Sequence, residues 1–164
     1  LEQQVSLTSA FAVYNRLKDQ VGMITPDRVA HLTDQKFRSC GISRQKTSYL
    51  RGLAEKIKDR SLVLRLVNSL PTEEIRAELI KLKGIGDWTI DVYLMSCLHK
   101  LDIFPVGDLV LVKSLRQIGL ISEKMPKERI IRRSNKFKPF RSILTILMWH
   151  YYINENNLNI PFDL

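Results

Sequence analysis

Apolar residues recur at the spacing of an α-helix through almost the whole chain, and this periodicity limits the fold more than any other feature. In segment 43–57, Tyr49, Leu50, Leu53 and Ile57 fall on one helical face. Comparable segments span residues 5–17, 25–32, 71–82, 87–101, 108–120, 127–139 and 140–153. No segment shows the alternation and the Asn-Gly or Asp-Gly turns of β-hairpins. The sequence therefore predicts an all-α fold, and its 164 residues suit one domain or two closely packed lobes.

The charge balance points to a polyanionic partner. Lysine and arginine total 26 against 17 acidic residues, which gives a net charge of +9 and a pI near 9.7. Such a charge favours nucleic acid over an anionic membrane. No apolar run reaches the length of a membrane span, so no membrane partner is expected. A basic protein without a polyanionic partner stays open as the alternative.

The two cysteines, Cys40 and Cys97, lie far apart and have no C-x-x-C spacing. This pattern fits neither a disulfide framework nor a zinc site, so we expect two reduced, buried thiols. These features predict an intracellular protein, located in the nucleus if its source is eukaryotic. The chain begins at Leu1, already inside an apolar pattern, and we expect its natural N-terminus to be missing.

Residues 82–88, Leu-Lys-Gly-Ile-Gly-Asp-Trp, interrupt a helical pattern that resumes at once. A tight Gly-x-Gly turn between two helices aims backbone N–H groups at an anion. One glycine would serve backbone angles that a side chain forbids, and the other would let a phosphate approach closely. We therefore predict a helix-hairpin-helix clamp on the DNA backbone over residues 79–90, with contacts from Lys83, Gly84, Ile85 and Gly86. A plain helix C-cap stays open as the alternative.

Two longer stretches, LKGIGDWT at 82–89 and DIFPVGDLVLVKSL at 102–115, make the chain resemble the helix-hairpin-helix DNA glycosylases. It is most similar to the 3-methyladenine DNA glycosylase II (alkylbase) branch and, within it, to the fungal members. The resemblance implies one domain over 1–164, with two lobes, a cleft between them, and N- and C-terminal helices packed together as the second lobe. It also implies base excision repair, in which the N-glycosidic bond of alkylated purines such as 3-methyladenine is hydrolysed in duplex DNA.

Asp108, read alone, is a helix N-cap, but the resemblance places the catalytic aspartate there. A fixed carboxylate would stabilise the positive charge that develops on the deoxyribose during bond cleavage. Trp88 stands where bifunctional relatives carry a Schiff-base lysine, so the resemblance implies a monofunctional enzyme. Trp88 and Trp149 would wall the base pocket, where an aromatic face suits a cationic purine. Trp88 as an ordinary core residue stays open.

The resemblance assigns further roles at both ends of the site. Gln3 would face the base pocket, and Gln4 would fill the gap left by the everted nucleotide. The alternative that both glutamines cap the first helix stays open. Backbone carbonyls of Ile80, Leu82 and Ile85 would hold a K⁺ or Na⁺ ion at the hairpin. An iron–sulfur cluster is excluded because four cysteines are needed. We expect no other cofactor, and we expect the protein to be a monomer.

Several positions depart from the family pattern. Ile146 and Leu147 stand where some relatives have aromatic residues, and His150 stands where an arginine or tyrosine is common. His150 itself is best interpreted as an ordinary surface histidine. A thinner aromatic pocket supports the alternative of a non-catalytic or weakly active homologue that binds damaged or abasic-site DNA. Basic residues that could add charge to the DNA surface are Arg132, Arg133, Lys136 and Lys138.

Overall fold

The structure, a computed structural model, describes residues 7–158. Its α-helices, numbered α1 to α10 in chain order, are Leu7–Val21, Pro26–Ala30, Asp34–Ser39, Arg44–Lys58, Leu64–Asn68, Thr72–Leu79, Asp87–Ser96, Leu109–Gln117, Lys127–Ser134 and Arg141–Glu155. A 3₁₀ turn, Asn135–Phe137, joins α9 to α10. Residues 7–158 contain no β-strand, and the predicted all-α fold is confirmed. The helices α3 and α5 were not predicted, because six and five residues are too few to show a period.

Hydroxyl side chains begin three consecutive helices in the first half of the chain. Thr25, Thr33 and Ser43 precede α2, α3 and α4, and each side chain accepts a hydrogen bond from the backbone N–H three residues later. Such a cap satisfies one of the free N–H groups at a helix start. The start predicted at Thr25 and Pro26 is therefore confirmed.

The chain divides into two compact units, Leu1–Ile85 and Gly86–Leu164. The core of the first unit is formed by Leu17, Val29, Leu32, Phe37, Cys40, Ile42 and Ala54. Phe37 has no exposed surface, and burying such a side chain contributes about 1.5–3 kcal/mol. Cys40 is buried as predicted. Cys97 is exposed, contrary to prediction, because α7 ends before it and it caps the helix.

The core of the second unit lies between α8, α9 and α10. It consists of Leu111, Leu115, Ile121, Ile130, Leu144 and Met148. The Ser114 hydroxyl of α8 donates to the backbone carbonyl of Met148 in α10 at 3.1 Å, within this core. No helix among residues 7–158 is both long enough and apolar enough to cross a membrane.

The residues of α7 are apolar on nearly every side, a composition typical of a helix buried all round, but the helix is only partly buried. Ile90, Leu94 and Met95 are buried, but Trp88 in its first turn is 52% exposed. The helix also stops at Ser96, five residues before the predicted end. The reason is that apolar composition does not distinguish a core side chain from an apolar side chain that faces a binding site.

Candidate active site and hairpin turn

The candidate catalytic residue Asp108 lies at the start of α8 and is only 6% exposed. Its backbone N–H donates to the carbonyl of Pro105 at 2.7 Å, which closes a turn before the helix. Its carboxylate Oδ1 accepts the Leu111 N–H at 2.7 Å, so Asp108 is an N-cap. The turn and the cap together hold the carboxylate in one place.

Two indole rings complete the environment of this carboxylate. Trp88 Nε1 donates to Asp108 Oδ2 at 2.7 Å, and Trp149 Nε1 donates to Oδ1 at 3.2 Å. Within the described part of the chain, no lysine, arginine or histidine forms an ion pair with Asp108. N–H donors thus make burial of the carboxylate tolerable without cancelling its charge. A negative charge of this kind remains available to stabilise a positive charge on a ligand.

Trp88 is anchored at its N–H end while half of its surface stays exposed. It is therefore not a core residue, and part of the ring is free to contact a ligand. Trp149, in the third turn of α10, is partly buried. The sequence placed the two tryptophans in a base pocket but missed that both bind the carboxylate. The available signal was that a largely buried indole N–H needs an acceptor.

Asp102 and Arg141, which the sequence analysis did not single out, tie the loop before Asp108 to the start of α10. Arg141 Nε donates to Asp102 Oδ1 at 2.6 Å and Arg141 Nη2 donates to Oδ2 at 2.9 Å. These hydrogen bonds, together with the guanidinium charge, hold the pKa of Asp102 below its usual range. The Ser142 hydroxyl accepts the Ile103 N–H at 2.9 Å and donates to the Lys100 carbonyl at 2.6 Å.

The two glycines of the hairpin are in different situations. Gly84 has a φ of +88°, and a Cβ there would overlap the Tyr49 ring. Gly86 has a φ of −117° and a ψ of 176°, which any residue adopts, and a Cβ there would meet no atom within 4 Å. The fold therefore requires glycine at 84, whereas nothing within the described chain requires it at 86.

The backbone N–H groups of the turn are not equally available. The Ile85 N–H donates to the Leu82 carbonyl at 3.0 Å, so it does not point freely to an anion as predicted. The turn closes on itself there, which a sequence pattern does not show. The N–H groups of Gly84 and Gly86 form no hydrogen bond within the described part of the chain. Lys83 is exposed.

Among the remaining predicted residues, Gln3 and Gln4 lie outside the described residues. Ile146 is partly buried, Leu147 is 56% exposed, and His150 is exposed. The basic residues Arg132, Arg133, Lys136 and Lys138 are exposed on α9 and the turn after it.

Comparison with known proteins supplies the family. A family model described as "HhH-GPD superfamily base excision DNA repair protein" matches residues 1–139. The DNA-3-methyladenine glycosylase of Bacillus subtilis is 26% identical over 161 residues, which cover 91% of this chain and 53% of that protein. DNA-3-methyladenine glycosylase 1 of Schizosaccharomyces pombe is 27% identical over 151 residues, covering 90% of this chain and 66% of that protein.

A solved structure is also similar. The S. pombe 3-methyladenine DNA glycosylase Mag1, in complex with abasic DNA, superposes with a TM-score of 0.80 at 26% identity. The match covers 98% of this chain and 78% of that structure. By contrast, the chain spans only about half the length of the B. subtilis relative, 53%.

Proposed function

Because this chain belongs to the HhH-GPD superfamily of base excision DNA repair proteins, we propose that it is a DNA glycosylase for alkylated purines such as 3-methyladenine in duplex DNA. The observation that carries this proposal is Asp108. Its carboxylate is buried, held by three N–H donors, and paired with no cation among the described residues. The similarity to two DNA-3-methyladenine glycosylases supports alkylated purines as the substrate class.

The proposed chemistry needs little beyond this carboxylate. An alkylated purine is cationic and is therefore a good leaving group. The difficult part of the reaction is the formation of positive charge on the deoxyribose as the glycosidic bond breaks. A preorganised carboxylate in a poorly solvated site lowers that barrier by about 3–4 kcal/mol. The exposed part of Trp88 offers a π-face to the cationic base. Because Trp88 cannot form an imine with the sugar, the enzyme is monofunctional.

The hairpin would hold the DNA backbone. The N–H groups of Gly84 and Gly86 are the donors for a phosphate, with Lys83 adding charge. A K⁺ or Na⁺ ion on the carbonyls of Ile80, Leu82 and Ile85 fits this turn, since the Leu82 oxygen uses only one lone pair for the Ile85 N–H. Such an ion would add positive charge beside the phosphate. The protein acts as a monomer, in the nucleus if its source is eukaryotic.

A binder of damaged or abasic-site DNA without catalysis is the second candidate. It is favoured by the aliphatic residues Ile146 and Leu147, the latter 56% exposed, where some glycosylases carry aromatic residues. Fewer aromatic walls mean weaker stacking on an everted base. The two candidates differ in one property, which is release of a base.

The test is incubation with duplex DNA that contains one alkylated purine, followed by alkali cleavage at the abasic site. The wild type should release the base, and Asp108→Asn should be slower by about a hundredfold or more. The asparagine keeps an oxygen for the cap but turns an NH₂ group toward one indole N–H, so circular dichroism must show an unchanged fold. Affinity for DNA with a tetrahydrofuran abasic analogue should change little.

Three outcomes would decide against parts of this proposal. Equal excision by wild type and Asp108→Asn would reduce Asp108 to a helix cap. No excision by the wild type, together with tight binding to the abasic analogue, would establish the binder. Borohydride treatment of the complex with natural abasic DNA should trap no covalent adduct, and an adduct would contradict the monofunctional assignment.

A further inference from the structure

The second unit contains an apolar cavity that opens to solvent between α8, α9 and α10. Its volume is about 70 Å³. Its walls include Phe104, Leu115, Ile121, Ile130, Phe137 and Leu144. None of the residues assigned above to base release or to DNA binding at the hairpin lines it. The cavity is therefore a feature separate from the candidate active site.

The mouth of this cavity is positively charged. Arg133 and Lys136 line it directly and are exposed. Around them, the segment 127–138 has six basic residues and one acidic residue, Glu128. The basic residues are Lys127, Arg129, Arg132, Arg133, Lys136 and Lys138. None of the six forms an ion pair within the described part of the chain.

The size of the cavity and its charged mouth together select one kind of occupant. A cavity of about 150 Å³ holds a benzene molecule, so this smaller one suits an aliphatic side chain better than an aromatic ring. A DNA backbone complements the charge but offers no aliphatic group for the apolar walls. An acidic polypeptide segment with a central leucine or isoleucine complements both.

We propose that this cavity is a docking site for a partner protein, which inserts an aliphatic side chain flanked by acidic residues. The aliphatic group replaces water against the apolar walls, and the flanking carboxylates pair with Arg133 and Lys136. On this proposal, the basic residues around the cavity serve protein binding and not the DNA clamp. The proposal does not depend on catalysis by Asp108.

The test is NMR of the full chain labelled at isoleucine methyl groups, titrated with the peptide acetyl-Glu-Asp-Leu-Glu-Asp-amide over roughly 0.1–2 mM. The methyl signals of Ile121 and Ile130, which line the cavity, should shift in a saturable manner. Those of Ile42 and Ile75, buried in the first unit, should not shift. No saturable shift at Ile121 or Ile130 would overturn the proposal.

Two further comparisons separate the apolar and the charged contributions. A peptide with serine in place of leucine should bind at least tenfold more weakly, and equal binding would show that no side chain enters the cavity. The double variant Arg133→Glu, Lys136→Glu should also bind at least tenfold more weakly. The matched variant Lys18→Glu, Lys46→Glu, at two exposed lysines of the first unit, should bind as the wild type does.

The competing occupant is nucleic acid. A short DNA duplex titrated in the same way should leave the Ile121 and Ile130 signals unchanged. If the duplex shifts them and the peptide does not, the surface belongs to DNA and the proposal is overturned. The Asp108→Asn variant, which should lose excision, should bind the peptide as the wild type does. Failure of the proposed function would therefore appear in excision, and failure of this proposal would appear in peptide binding.

Discussion

A buried carboxylate commonly lies beside a cation, but Asp108 is surrounded by N–H donors from the backbone and from two indoles. The difference matters for chemistry. A neighbouring lysine or arginine would neutralise the field of the carboxylate before any ligand arrives. Hydrogen-bond donors stabilise the charge and orient its oxygens while leaving the net charge at the site. Trp88 and Trp149 thus position the Asp108 carboxylate, a role that adds to the base contact assigned to them in the proposed function.

Trp88→Phe separates these two roles, because phenylalanine keeps an aromatic face and lacks the N–H. Losing one charge-assisted hydrogen bond should slow single-turnover excision by about tenfold. Affinity for the damaged duplex should stay within about threefold of the wild type, since most of the ring face remains. Trp88→Ala is the comparison, and it should lose both rate and affinity. An unchanged rate in Trp88→Phe would show that only the ring face matters.

At the scale of elements, the turn between α6 and α7 uses its two glycines for different purposes. Gly84 supports the fold, since its φ is positive and the Tyr49 ring lies where a Cβ would stand. Gly86 has ordinary backbone angles and open space around it. No contact among the described residues requires glycine at 86. In the proposed function, the missing side chain lets a phosphate approach the backbone closely.

Gly86→Ala should therefore weaken binding to every duplex, by about tenfold, while the melting temperature stays within about 2 °C of the wild type. Gly84→Ala should lower the melting temperature as well, because its methyl group displaces Tyr49. Fluorescence anisotropy with undamaged and abasic duplexes measures the first effect, and thermal unfolding measures the second. Wild-type affinity in Gly86→Ala would show that the turn has only a structural role.

The Asp102–Arg141 pair holds the start of α10 in place. Two turns later in the same helix, Trp149 donates its hydrogen bond to the Asp108 carboxylate. Arg141 lowers the pKa of Asp102. The pair therefore stabilises the fold at pH values above about 3.9, the ordinary pKa of an aspartate, and this stabilisation is lost as the pH falls through the lowered pKa. Asp102→Asn should reduce the free energy of unfolding by about 1–3 kcal/mol at neutral pH.

The difference between Asp102→Asn and the wild type should shrink as the pH falls through the lowered pKa of Asp102, because the wild-type carboxyl then becomes neutral as well. Urea unfolding at neutral pH and along an acidic pH series measures it. Asp19→Asn is the matched control, because Asp19 is exposed and forms no ion pair with any of the described residues. A stability difference that does not depend on pH would mean that the pair acts through packing and not through charge.

At the scale of the whole molecule, the net charge of +9 predicts strong electrostatic binding to DNA. If about four to six phosphates are neutralised, log K should fall against log[salt] with a slope of roughly −4 to −5. Lys83→Ala should make the slope shallower by about one if Lys83 contacts a phosphate. Anisotropy titrations between about 50 and 300 mM salt measure both slopes. A binding constant insensitive to salt would contradict the nucleic-acid function altogether.

The features that the sequence predicted correctly depend on neighbours within one or two helical turns. The all-α fold follows from apolar spacing, and the helix start at Thr25 follows from a hydroxyl beside Pro26. The break at Gly84 and the start of a helix at Asp108 are of the same kind, since each rests on local backbone chemistry. The motif around Asp108 also indicated the family, which the match over residues 1–139 shows.

Only the tertiary structure decided how distant residues meet. Trp88 and Trp149 reach Asp108 across 20 and 41 residues, and Arg141 reaches Asp102 across 39. Such contacts depend on how helices pack within a unit, and packing is a property of many side chains together, which no local pattern encodes. The same reason explains why Trp88 is exposed although its helix is apolar. Composition determined that α7 is apolar, and packing determined which of its side chains are buried.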